Sequence, residues 1–268
     1  MPHDDPVTSL TFEDYCHRIV AQTDLLRAQV GGADIRTAVP TCPGWDLGRL
    51  LRHVGGDHRW AEEIVRTRAT EPVADDGVND PQVHAELDGS ALDGWLGEGA
   101  AGLAAALRGA GPDVRVWTPA DGSVVPRSAG FWARRMTHET VVHRADAAFA
   151  VGAGFALEDE LAVDAVEEWL EFSTVTEAYE PAPGTPGLLG PGRTLGLDAP
   201  GAGQWFVDLT GERPVWRAGP GPAAVVVRGP VTELLLFLYR RPAPAVETRG
   251  DAALLELWLR RTGFWLEA

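Results

Sequence analysis

An N-terminal antiparallel four-helix bundle followed by a small C-terminal α+β unit is the fold class that this 268-residue sequence predicts. Three observations carry the expectation. Through about residue 180, apolar side chains recur at steps of three and four, the period of amphipathic helices. Beyond about residue 193 the texture shifts to short strand-like runs. Between them, residues 181–192 (PAPGTPGLLGPG) hold no charge and no period, which reads as a linker.

The elements follow in order. Thr11 is placed to cap a first helix, with Asp14 three residues on and Phe12, Tyr15, Ile19, Leu26 and Val30 at helical spacing. After Pro40-Thr41-Cys42-Pro43-Gly44-Trp45, Asp46 is the natural cap of a second helix reaching about Arg68. A third spans about 91–107, with Leu92, Trp95, Leu96, Leu103 and Leu107 on one side. A loop or hairpin around Val114-Arg115-Val116-Trp117 precedes a fourth helix over about 128–149, and a fifth is expected over about 157–179. Long helices with modest connections pack antiparallel. In the small unit the strand-like runs are 194–197, 205–209, 215–217 and 224–228. Gly229-Pro230 opens a helix over 231–240, and a last helix covers about 251–265. The expected domains are therefore 1–180, a linker 181–192, and 193–268.

Composition narrows the function. All 23 basic residues are Arg, so lysine Schiff-base chemistry and a P-loop are excluded. The 39 acidic residues set the net charge at −16, a field that repels nucleic acid and anionic membranes. Two cysteines, Cys16 and Cys42, do not make a disulfide framework. The acidic N-terminus lacks the pattern of a signal peptide, and no apolar run approaches the ~18 residues of a membrane span, so a cytoplasmic protein is expected. The two units can cover each other's apolar faces within one chain, which predicts a monomer.

Chemistry concentrates on two helices. The second aligns Leu50, His53, Asp57, Trp60 and Ile64, and the fourth aligns Trp132, Met136, Glu139, His143 and Ala147. His53, Glu139 and His143 thus fall within otherwise apolar stripes, where a carboxylate is costly unless paired, protonated or bound to metal. Glu139 and His143, four residues apart, can reach one point. Two His and one Glu suit a divalent ion and leave a coordination position open, as catalytic sites do. The alternative is a pair of satisfied core histidines with a Glu–His hydrogen bond. His138 and His143 lie five apart, about 140° around the helix, so the HExxH arrangement of zincins is excluded. His3, His17, His58 and His84 read as surface residues.

These segments carry a resemblance. Val39-Pro40-Thr41-Cys42-Pro43-Gly44-Trp45-Asp46, Leu50-Leu51-Arg52-His53-Val54 and His58-Arg59-Trp60 resemble the opening of the mycothiol-dependent maleylpyruvate isomerase family, within the DinB-like metal-binding bundles. The run from Arg135 to Asp146 is similar to that family's second signature, and Gly229 to Leu238 to the helix of its smaller domain. The resemblance implies zinc bound by His53, Glu139 and His143, with mycothiol, the low-molecular-weight thiol of actinobacteria, as cosubstrate. A thiol coordinated to zinc loses its proton, and the thiolate is the nucleophile. Its addition to the conjugated double bond of maleylpyruvate, rotation and expulsion give the trans isomer; in a thiol S-transferase the adduct leaves as a thioether. Both fit the same ligands, and a non-catalytic metal or thiol-conjugate binding protein is the remaining class.

The family also implicates an Arg of the small domain, whose counterpart is ambiguous among Arg228, Arg240 and Arg241. Any of them suits a carboxylate, or is a solvated helix-end cation. Asp57, one turn after His53, is a candidate to orient a ligand or bound water. Arg134 or Arg135 is a candidate to position an anionic substrate, and Trp60 and Trp132 to line the pocket. Cys42 belongs to the turn and reads as structural.

Overall fold

The computed structural model describes residues 10–75, 84–87, 89–119, 125–180, 184 and 186–266. The chain divides into two compact units at Phe155–Ala156. The first holds four long helices among its described residues: α1 (Phe12–Val30), α2 (Leu47–Thr67), α3 (Gly89–Ala110) and α4 (Ala129–Val151). α1 packs on α3 and α4, and α2 packs on the same two, which closes the bundle.

Local chemistry sets where these helices begin. Thr11 and Asp14 form a reciprocal capping box, with Asp14 N donating to Thr11 Oγ1 at 3.2 Å and Thr11 N donating to Asp14 Oδ2 at 2.8 Å. Asp46 accepts from Arg49 N at 2.8 Å and so caps α2. The turn before it is held by three backbone bonds, Val39 N to Trp45 O, Cys42 N to Val39 O and Trp45 N to Cys42 O, and Gly44 supplies its φ of +82°. The predicted segment before α4 is a strand-like pair: Val116 N donates to Arg127 O and Ala129 N to Val114 O. Its residues 120–124 lie outside the described ones.

α4 is the central helix, buried around most of its circumference, including Thr137, His138, Thr140, Arg144 and Asp146 as well as its apolar residues. Thr137 and Thr140 satisfy their hydroxyls on the carbonyls of Ala133 and Met136, four residues back. α2 is buried without a break from Val54 to His58. There Gly55 leaves room for Trp95 of α3, whose Cζ3 lies 2.2 Å from where a Cβ would stand.

In the second unit, α5 (Asp159–Phe172) and the short α6 (Thr176–Tyr179) precede a five-stranded sheet. Its strands are β1 (Thr194–Ala199), β2 (Gly203–Asp208), β3 (Val215–Ala218), β4 (Val225–Arg228) and β5 (Glu247–Gly250), in the order β3-β2-β1-β4-β5. β1 and β4 run parallel and the other neighbours antiparallel. α7 (Val231–Leu238) and α8 (Ala252–Thr262) pack against this sheet. Leu195, Leu197, Ala199, Trp205, Val207, Val225 and Val227 are its buried residues, alternating along their strands.

Three features differ from the sequence reading. The helix expected over 157–179 is shorter, ending at Phe172, and belongs to the second unit: Trp205 Nε1 of β2 donates to Glu167 Oε1 at 3.0 Å, and Trp169 packs on Tyr239 at 4.8 Å. The boundary therefore falls before that helix and not at the Pro/Gly stretch. Of that stretch, residues 181–183 and 185 lie outside the described ones, while its end is tied to the sheet: Leu188 is fully buried and Gly190 N donates to Leu209 O at 3.0 Å. Finally β5, an exposed edge strand, has no counterpart among the strand-like runs.

The close approach of α2 to α3 is testable. Gly55→Val forces Trp95 aside, and overpacking of this kind costs about 1–3 kcal/mol. At roughly 2–4 °C per kcal/mol, the thermal midpoint read by circular dichroism should fall by several degrees. An unchanged midpoint would contradict the contact.

Candidate metal centre

The two helices bring the three predicted residues together. His143 Nε2 lies 3.0 Å from Glu139 Oε1, and His53 Nε2 lies 3.6 Å from the same oxygen. The three donor atoms all lie within 4.8 Å of one another. Ligands placed tetrahedrally at about 2.0–2.2 Å from an ion stand about 3.4 Å apart, so this N,N,O set has the separations of a divalent-ion site. The imidazole rings meet edge to face, 4.9 Å between centres.

Glu139 and His143 are held from behind, whereas His53 Nδ1 is buried without a hydrogen-bond partner among the described residues. Glu139 Oε2 pairs with the Arg135 guanidinium one turn earlier, which leaves Oε1 for the histidines. His143 Nδ1 lies 2.9 Å from Asp146 Oδ2, a carboxylate with no solvent exposure. An N–H donated from Nδ1 to that carboxylate reserves Nε2, the nitrogen that faces Glu139, for a proton or for a metal ion. Cys42 Sγ donates to the same Asp146 oxygen at 3.4 Å. His53 Nε2 is also 3.3 Å from Asp57 Oδ2.

Electrostatics follow from burial and these partners. Burial alone would raise the Glu139 pKa, but the Arg135 charge and the two imidazoles outweigh it and hold the carboxyl well below its usual range. Burial likewise opposes the charged form of His143, yet Asp146, Cys42 and Glu139 lift its pKa well above the ordinary imidazole value. Asp57 is pushed up to about 6, chiefly by burial and against the pull of His53.

Other expected residues fall differently. Of the two adjacent arginines, Arg135 is the one that pairs with Glu139; Arg134 projects about 100° away around α4. Trp60 is two turns beyond His53, in a cluster with Trp117 and Trp132, and its Nε1 donates to Val73 O at 3.0 Å. The aromatic side chain against the histidines is Trp45, 5.0 Å from the His53 ring and stacked 6.0 Å from His143. His58, expected on the surface, is buried: α2 is enclosed at this point, Nε2 is 2.9 Å from Thr140 Oγ1, and burial pushes the ring down to about 3. His84 is half-buried beside Trp95, whereas His17 is exposed as expected. His138 meets the Tyr15 ring on α1. In the second unit, Arg228 pairs with Asp198, Arg240 has a left-handed backbone (φ +63°), and Arg241 Nη1 donates to Tyr239 O at 2.6 Å.

Sequence reasoning passed over Trp45, Asp146 and the pairing of Arg135. The last two carried a readable signal, at three residues after His143 and four before Glu139, the spacings that share a helix face.

Fold and site together define a class: a helical-bundle protein with a cluster of two histidines and one carboxylate that could hold a metal ion, followed in the chain by a small α+β unit. Residues 16–148 match the family model of the mycothiol maleylpyruvate isomerase N-terminal domain, and residues 160–257 match that of the C-terminal domain. The chain belongs to the mycothiol-dependent maleylpyruvate isomerase family. It is similar in fold to the crystal structure of the mycothiol-dependent maleylpyruvate isomerase, at 18% identity and a TM-score of 0.63, over 89% of this chain and 93% of that one. A histidine-to-alanine mutant of that enzyme is similar at 18% identity and a TM-score of 0.62, with the same coverage. No curated protein matches the sequence. Among the described residues, no helix is long and apolar enough to cross a membrane.

The Asp146 contact makes a prediction. Asp146→Asn removes the charge that fixes the His143 tautomer, and losses of such supporting partners typically weaken metal binding 10–100-fold. Competition with a chromophoric chelator should show that loss for zinc, and an unchanged affinity would mean that Asp146 does not orient His143.

Proposed function

We propose that this chain binds a divalent ion, zinc, through His53, Glu139 and His143 and uses mycothiol to catalyse cis–trans isomerisation of a small conjugated electrophile of the maleylpyruvate type. The observation that supports this most is the convergence of two imidazole nitrogens on one carboxylate oxygen, with Glu139 backed by Arg135 and His143 by Asp146. A cation held there supplies the positive charge that lets a neighbouring thiol ionise near neutrality.

The chain's own groups provide the rest. Arg135 keeps Glu139 ionised and turned so that Oε1 faces the histidines. Asp146 holds the His143 ring with Nε2 presented to the site. Asp57, whose pKa burial raises, sits at the edge of the donor set 3.3 Å from His53 Nε2, placed to orient a ligand or bound water. Trp45 covers the imidazoles and limits water around them. In this reading the protein is a cytoplasmic monomer whose partners are small molecules.

Replacing His53, Glu139 or His143 by Ala should strip the metal at micromolar concentrations and abolish thiol-dependent turnover. Glu139→Gln should be nearly as damaging, because it keeps the shape but removes the ligand charge. Metal analysis of each variant, together with mass spectrometry of the zinc-loaded protein with mycothiol and maleylpyruvate, makes the test. One equivalent of metal and full activity retained in both Glu139→Ala and His143→Ala would refute the ligand set. A stable thioether would favour the S-transferase outcome, and bound metal without thiol chemistry a binding protein.

A further inference from the structure

Arg49 lies in the first turn of α2, one turn before His53 and on the same side of the helix. Its guanidinium carbon sits 4.7 Å from the centre of the Trp45 ring, the ring that also touches both histidines. The guanidinium is therefore no farther from the His53 ring than these two contacts laid end to end. Among the described residues it has no carboxylate partner, although the chain carries 39 acidic residues. Arg27, Arg36, Arg108 and Arg135 in the same unit are each paired.

Its place also runs against local electrostatics. The start of a helix carries partial positive charge and favours Asp or Glu, and the first turn of α2 has neither. The Asp46 carboxylate caps this helix end through Arg49 N, and the Arg49 side chain adds a further positive charge beside it. A small anion placed there meets both the guanidinium fork and the helix end. The flat face of Trp45 fixes the plane of the fork, so its N–H edge is pre-organised for a carboxylate.

We propose that Arg49 is the carboxylate anchor of the substrate: it binds a carboxylate of the electrophile beside the donor set and so selects anionic over neutral electrophiles. The proposal deepens the functional reading above and rests on it for the identity of the reaction, but the binding step is measurable without thiol or turnover. The probe is maleate, titrated calorimetrically into the zinc-loaded full chain. Arg49→Gln should weaken maleate binding about 10–100-fold, the range of a charge-assisted bidentate contact, with unchanged metal content and thermal midpoint. Arg49→Lys should recover part of the affinity, since it restores the charge without the fork. In turnover, Arg49→Gln should raise KM for the acid far more than it lowers kcat, and should leave KM for the corresponding neutral ester unchanged.

Equal maleate binding by the wild type and Arg49→Gln, no saturable binding by either, or an equal rise in KM for acid and ester would each overturn the assignment. Maleate binding that depends on Arg49 in a protein without thiol-dependent turnover would refute the isomerase reading while upholding the anchor.

Discussion

The structure turns on one half-buried carboxylate. Glu139 projects from the central helix of the bundle into a largely enclosed place where an unpaired charge is costly, and it is tolerated because Arg135 neutralises one oxygen and two imidazoles converge on the other. Each of those partners makes a further demand. Arg135 must occupy the position one turn before Glu139, His143 needs Asp146 to hold its other nitrogen, and Asp146 in turn needs donors because it has no access to solvent. Cys42 is one of them, which ties the turn before α2 to the inner face of α4.

The packing of the helices serves this arrangement. His53 reaches Glu139 because α2 lies close to α4, and α2 is set there by what it meets on its other side, where Gly55 admits the edge of Trp95. A rigid scaffold suits a site that must bring two nitrogens and one oxygen to a common point, since residues on packed helices hold their geometry better than residues on loops. The turn carrying Trp45 is the exception. It is irregular in conformation, yet backbone bonds from Val39 and Trp45 and the positive φ of Gly44 define it closely enough to lay an indole against both imidazole rings.

Much of this was legible in the sequence, for identifiable reasons. The caps at Thr11 and Asp46 follow from side-chain chemistry within three residues, and the trio of His53, Glu139 and His143 stood out as polar groups on apolar stripes. Periodicity says least where a helix has no polar face. α4 is enclosed almost all round, so its apolar pattern alone did not single out Asp146 or Arg135, although their spacing from His143 and Glu139 did carry a signal, and α2 is enclosed at His58, which read as a surface residue. Trp45 belongs to no periodic element, and β5 (Glu-Thr-Arg-Gly) is exposed along its whole length and lacks the alternation that marks a half-buried strand. The placement of α5 with the sheet depends on contacts such as Trp205 to Glu167, which lie 38 residues apart in sequence.

His143 is common to two groups of donors: through Nε2 it joins His53 and Glu139, and through Nδ1 it joins Cys42 and Asp146. The central claim is that the first group holds the metal and the second only orients it. X-ray absorption fine structure at the zinc edge, recorded on the loaded protein without thiol, separates the two. The account predicts a shell of nitrogen and oxygen alone at about 2.0–2.2 Å, whereas a sulfur scatterer at about 2.3 Å would put the ion on Cys42 and contradict it.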